Sequence, residues 1–165
     1  MSYRERGAEK ASFARRSFLA LIAAATLGAS ARPAIAAEPM IKVHKDPNCG
    51  CCSGWVKHLR DAGFTVQVDD ASDLPGVRKR LGVPADLAAC HTAEVDSYIL
   101  EGHVPASAVR RLLTERPKAL GLAVPGMPVG SPGMEGGHPQ PYEVVQFGPA
   151  GRTTFMRFVG KEAIG

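Results

Sequence analysis

Downstream of residue 36 the chain has no net charge to offer. Residues 1–36 hold six of its twenty Arg and Lys and two of its sixteen Asp and Glu, which leaves fourteen of each sign in the remainder. The overall excess of +4 is therefore local, and nothing in it argues for a nucleic-acid surface. The chain also lacks an internal repeat, a dinucleotide fingerprint and a phosphate-binding loop. Its apolar, alanine-rich run from Phe18 to about Ala31 is too short and too rich in small residues for a transmembrane helix. Cysteine is scarce, four in 165 residues, and three of the four fall within four positions. A purely structural disulfide framework would spread them along the chain, and a bridge between adjacent Cys51 and Cys52 would be strained. The crowding also excludes a cysteine protease, which needs one nucleophile with a partnered histidine. The adjacent carboxylates Asp69 and Asp70 read as a strand end running into a solvated turn.

What the N-terminus does have is an export pattern. Ala14-Arg15-Arg16-Ser17-Phe18-Leu19 resembles a twin-arginine signal, with Sec export as the rival reading. Ala34-Ile35-Ala36 fits a small-x-small cleavage site. The expectation is that residues 1–36 are removed and that the mature chain works in the periplasm of a Gram-negative bacterium, with no stable membrane insertion. That compartment permits disulfides. The mature chain is long enough to bury one core.

The rest is organised around Asp46-Pro47-Asn48-Cys49-Gly50-Cys51-Cys52-Ser53-Gly54-Trp55. A strand-like stretch, Met40-Ile41-Lys42-Val43-His44, precedes it. A helix follows from near Cys52 to Gly63, with Cys52, Trp55, Val56 and Leu59 on one face. Phe64–Val68 alternates as a second strand, parallel to the first if the crossover is right-handed. Asp73 caps a short helix over Pro75–Leu81, which Gly82 and Pro84 stop. Cys90–Val95 and Ser97–Glu101 read as two short strands around Asp96. Pro105 opens a helix with Val109, Leu112 and Leu113 as its apolar stripe. Gly121 to Pro141 is rich in Gly and Pro and reads as a long loop. Tyr142–Phe147 and Thr153–Val159 read as a closing hairpin. The order β-α-β-α-β-β-α is that of an α/β, thioredoxin-like domain. The expected division is 37–118 for this core and 119–165 for a loop-and-hairpin extension.

Thiol chemistry is the chemistry this pattern can do. Cys49 and Cys52 form a C-x-x-C pair at a helix start, where N–H groups and the helix dipole stabilise thiolates. In a dithiol oxidoreductase the first would attack and the second resolve. Cys51 complicates that reading, because a third thiol competes as a resolving group. Three converging thiolates are good ligands for a soft ion. Cys90 could join them, since the third strand of such a domain lies beside the first; otherwise it is a small buried hydrophobe. His91 could ligate or simply pack. Met127 and Met134 stand in a loop too rich in Gly and Pro to be ordinary core. Thioether sulfur suits copper(I), so clustered cysteine with loop methionine points to copper over zinc. His103, in a turn before a helix, and His138, in the loop, are further candidates. His44 is ambiguous, and His58 reads as solvated.

Asp46 to Cys52, Ala89-Cys90-His91-Thr92, Glu101-Gly102-His103-Val104-Pro105, Gly126-Met127-Pro128 and Ser131-Pro132-Gly133-Met134-Glu135 together resemble the CopG-like family. The similarity runs from about Ile41 to Phe158. It implies a periplasmic thioredoxin-like domain with a metal-binding extension, associated with copper resistance and with interconversion of copper(I) and copper(II). The family's C-x-C-C falls on Cys49, Cys51 and Cys52. Together with the residue-level reading this gives Cys49, Cys51, Cys52, Cys90, His103, Met127 and Met134 as the metal set. Partners would be copper ions and a periplasmic copper-export or redox protein, and a monomer is expected. The rival reading is a metal-free thiol–disulfide oxidoreductase acting on proteins through Cys49 and Cys52.

Overall fold

The computed structural model describes residues 39–164. The export signal read over residues 1–36 lies outside them. Among the described residues, no helix is long and apolar enough to cross a membrane.

The chain runs β1 (Ile41–Lys45), α1 (Gly50–Asp61), β2 (Val66–Asp70), α2 (Leu74–Leu81), a 3-10 turn (Ala85–Leu87), β3 (His91–Val95), β4 (Tyr98–Gly102), α3 (Ala106–Glu115), β5 (Gly121–Val124), β6 (Pro141–Gly148), β7 (Gly151–Val159) and β8 (Glu162–Ala163). This is a mixed α/β fold built on one sheet of order β2-β1-β3-β4-β5-β6-β7-β8. β1/β2 and β4/β5 are parallel, and the other neighbours are antiparallel.

Alternation along the strands separates two apolar layers. Ile41, Val43, Ala93, Val95, Leu100, Leu122 and Val124 join Trp55, Val56 and Leu59 of α1 and Val109 and Leu112 of α3 in the main core. Ile99, Ala123 and Phe147 face the other way and pack with Val83 and Leu87.

Helix ends follow their local chemistry. Asp73 Oδ1 accepts from the Gly76 N–H at 2.8 Å, and Gly82 ends α2 in the left-handed region at φ 73°. α3 has Pro105 at its cap position and no side-chain cap of its own. His58 supplies the acceptor instead, its Nε2 taking the Ala106 N–H at 3.0 Å. His58 is therefore half-buried between two helices, where the sequence suggested a solvated position.

The long loop read over Gly121–Pro141 needs correcting. Its first four residues are β5, buried throughout in mid-sheet. A Cβ on Gly121 would sit 1.9 Å from the Ile99 carbonyl oxygen, so this glycine permits close backbone approach rather than marking a loop. Leu122, Ala123 and Val124 are too short a run for alternation to reveal a strand.

Candidate metal centre

The site begins with a turn. Lys45 Nζ donates to the Asp46 carbonyl at 2.9 Å and the Pro47 carbonyl at 3.2 Å, and the Asn48 N–H donates to Asp46 Oδ1 at 2.7 Å. These bonds fold the chain between β1 and α1 and set Cys49 at the N-cap of α1. There its sulfur accepts the Cys52 N–H at 3.3 Å. Cys49 and Cys52 are joined as a disulfide; Cys51 and Cys90 are free thiols.

Strand pairing brings the second half of the site. The β1/β3 register sets Lys45 opposite His91, so Cys90 arrives at the end of β1 from which Cys49 departs. The β3/β4 register sets Thr92 opposite Glu101, so Cys90 and His91 meet the stretch that enters His103. Cys51 Sγ lies 3.5 Å from Cys49 Sγ and 3.8 Å from Cys90 Sγ. Cys90 Sγ lies 3.0 Å from His103 Nε2 and 3.4 Å from His91 Nδ1. Two overlapping donor groups result, Cys49/Cys51/Cys52/Cys90 and Cys90/His91/His103, each with its ligand atoms within 4.8 Å of one another.

A buried polar clamp holds the approach to Cys90. Glu101 is fully buried. Its Oε1 accepts from the Ala89 N–H at 2.7 Å and from Arg78 Nε at 2.9 Å, and its Oε2 accepts from Thr92 Oγ1 at 2.6 Å. The Arg78 guanidinium also donates to the Ala89 carbonyl. Both backbone groups of the residue before Cys90 are thus tied to one buried ion pair. Sequence reasoning gave Arg78 and Glu101 no role; an acid inside the apolar strand Tyr98–Gly102 was the available signal.

The imidazoles are set by packing. The His91 ring lies 4.2 Å from the Trp55 ring and 5.2 Å from the His103 ring, and Trp55 Nε1 donates to the Val104 carbonyl at 2.8 Å. His91 Nε2 and His103 Nδ1 are buried with no hydrogen-bond partner of normal geometry among the described residues. Burial, reinforced by the His103 charge, pushes His91 down to about 3. Burial also lowers His103, partly opposed by the Pro132 carbonyl and Glu135. Both rings are therefore neutral at pH 7 and keep a lone pair. Burial, then the neighbouring Cys51, pushes the Cys90 thiol up to about 12. Cys90 holds its proton at neutral pH unless a cation takes its place. Buried sulfur, neutral imidazole and unsatisfied ring nitrogen suit a soft or borderline metal ion.

The loop over residues 125–140 lies on α1. A Cβ on Gly133 would be 2.3 Å from the Cys51 carbonyl oxygen and 2.7 Å from the Trp55 nitrogen, and one on Gly54 would be 2.9 Å from Gly133 Cα. Gly54, costly inside a helix, is explained by this backbone-to-backbone contact. Met134, next in sequence to Gly133, is half-buried, whereas Met127 is 40% exposed. His138 is exposed. His44 turns to the other sheet face, its ring between Glu94 Oε1 at 2.9 Å and Asp69 Oδ2 at 3.1 Å. A cleft of about 540 Å³ is lined by Cys49 and Cys90, with Asp46, Asn48, Arg78 and Ala89 among its other walls.

Fold and donor set define a small α/β protein with a thiol-rich site able to hold a metal ion. A family model described as "Protein of unknown function, DUF411" matches residues 87–134. Two solved structures titled "Copper resistance protein copG", Form 1 and Form 2, are similar to this chain. Form 1 shows 45% identity and a TM-score of 0.70 over 74% of this chain and 99% of its own. Form 2 shows 46% identity and a TM-score of 0.69 over 73% and 98%. No curated protein matches. The chain belongs to the CopG-like family.

Proposed function

We propose that the chain is an exported, periplasmic copper-binding protein of copper resistance. In this reading residues 1–36 are a cleaved signal, 37–118 a thioredoxin-like core and 119–165 an extension that covers the site. Copper is the cargo. Cys49, Cys51, Cys52 and Cys90 hold it as thiolates once the Cys49–Cys52 disulfide is reduced, and His103 completes the set. His91 stands ready beside Cys90. Met127 and Met134 come from the loop as thioether donors or as a shield. Soft sulfur favours copper(I), and the nearby imidazoles allow copper(II) to be held as well, which suits interconversion of the two states. Binding releases protons from the thiols and therefore strengthens as pH rises.

The observation that carries this reading is the meeting of Cys90 and His103 with the Cys49–Cys52 segment in one pocket. The test is copper content after reduction and anaerobic loading. Wild type should retain copper, and the Cys49/Cys51/Cys52 triple Ser variant should lose it. A copper-free wild type, or a triple variant that keeps its copper, refutes the reading.

A second reading rests on the disulfide itself. Cys49–Cys52 at a helix N-terminus, opening on a cleft, is the arrangement of a thiol–disulfide oxidoreductase. It requires turnover with a dithiol reductant and a protein disulfide in the absence of metal. Native mass spectrometry with and without a thiol-alkylating reagent separates the two.

A further inference from the structure

Cys51 is in contact with two sulfurs at once. Its Sγ lies 3.5 Å from Cys49 Sγ, which is already in a disulfide, and 3.8 Å from Cys90 Sγ, the other free thiol. A free thiol touching a disulfide sulfur on one side and a second thiol on the other is placed for exchange in both directions. We propose that Cys51 and Cys90 are a second disulfide couple, and that the bond passes from Cys49–Cys52 to Cys51–Cys90 by internal exchange. This goes beyond copper binding and needs no metal.

Two displacements suffice. In the first, Cys51 gives its proton to water and its sulfur attacks Cys49 Sγ. The Cys49–Cys52 bond breaks, and Cys52 leaves with the electron pair and takes up a proton. In the second, hydroxide at the mildly alkaline pH of the test takes the Cys90 proton, and Cys90 attacks Cys51 Sγ, 3.8 Å away. The Cys49–Cys51 bond breaks, and Cys49 leaves with the electron pair. The Cys52 N–H already points at Cys49 Sγ from the first turn of α1, so the departing charge meets a donor and the positive end of a helix. Water returns the two protons to the departing sulfurs. One S–S bond breaks and one forms, with two thiols before and two after. No outside oxidant or reductant is consumed.

The consequence is a free dithiol in either of two places. In one isomer it is Cys51/Cys90, beside His103. In the other it is Cys49/Cys52, at the helix cap, with Cys49 on the cleft. The oxidised chain thereby keeps a pair of sulfurs available without waiting for a reductant.

The experiment uses the metal-free, oxidised wild-type chain, held anaerobically at mildly alkaline pH and then quenched with an alkylating reagent. Disulfide-linked peptides are mapped by mass spectrometry while total thiols are counted. The expected result is a Cys51–Cys90 linkage in more than about one chain in ten, with Cys49 and Cys52 alkylated and the count unchanged at two thiols. Cys51→Ser should leave only Cys49–Cys52, and Cys90→Ser should accumulate a Cys49–Cys51 linkage. The proposal is overturned if wild type shows Cys49–Cys52 alone at all times. It is equally overturned if Cys51–Cys90 appears only as thiols are lost, which is oxidation rather than exchange. Because copper is absent throughout, failure here leaves the copper reading to its own test.

Discussion

The two halves of the site are built by different means. The Cys49–Cys52 segment is local: a turn, a helix cap and four consecutive residues place three sulfurs together. The Cys90/His91/His103 half is assembled from strands β3 and β4 and the turn after β4, and depends on sheet register, a buried ion pair and the His91–His103 ring stack. A local cluster tolerates damage elsewhere in the fold. An assembled one shares the fate of the core beneath it.

The strongest test of that contrast is Trp55→Ala. Trp55 is fully buried, packs its ring at a tilt against His91 and donates to the Val104 carbonyl. Its loss should cost about 4 kcal/mol in denaturant unfolding. The Cys90 thiol should become rapidly alkylated while Cys49–Cys52 stays closed; a change of only a few tenths of a kcal/mol would break the comparison. Next is Glu101→Ala, which leaves Arg78 without its buried carboxylate and the Ala89 N–H without its acceptor. A loss of about 3 kcal/mol is expected, because removing one partner strands the other. The telling readout is again faster alkylation of Cys90, with Cys49–Cys52 unchanged.

Acid should act on the assembled half as well. His91 has an ordinary value of 6.5 and is held near 3 by burial, so below 6.5 the unfolded chain binds a proton that the folded chain refuses. Its contribution to stability is whole above 6.5 and is lost as pH falls from there towards 3. Urea midpoints of the metal-free oxidised protein should drop across that window, and His91→Phe should flatten the drop. The smallest effect is expected at His58→Ala, which removes the acceptor at the start of α3 and should cost about 1 kcal/mol. Cys90 alkylation should hardly change, because α3 lies beyond His103 in the chain.

Most of the elements were legible before any coordinates. Cys52, Trp55, Val56 and Leu59 repeat at helical spacing, Asp73 and Gly82 bracket α2, and the two hairpins are marked by their turns at Asp96 and at Gly148–Gly151. β5 escaped notice because three buried residues between Gly121 and Pro125 carry no period. Arg78 and Glu101 escaped because an ion pair joining a helix to a strand leaves no spacing to read. Cys90 and His103 were legible as candidates, yet a separation of 39 positions between Cys51 and Cys90 could not show that their sulfurs touch.

By itself the sequence determined what is short-range: the turn at Asp46–Asn48, a helix starting within the cysteine triplet, and a supply of soft donors. These follow from backbone preferences and capping, which act over a few residues. Tertiary structure alone decided that Cys51 faces Cys90, that Cys90 meets His103, and that His91 turns inward onto Trp55. Those outcomes depend on register between β1, β3 and β4, and register is set by packing a whole sheet face at once.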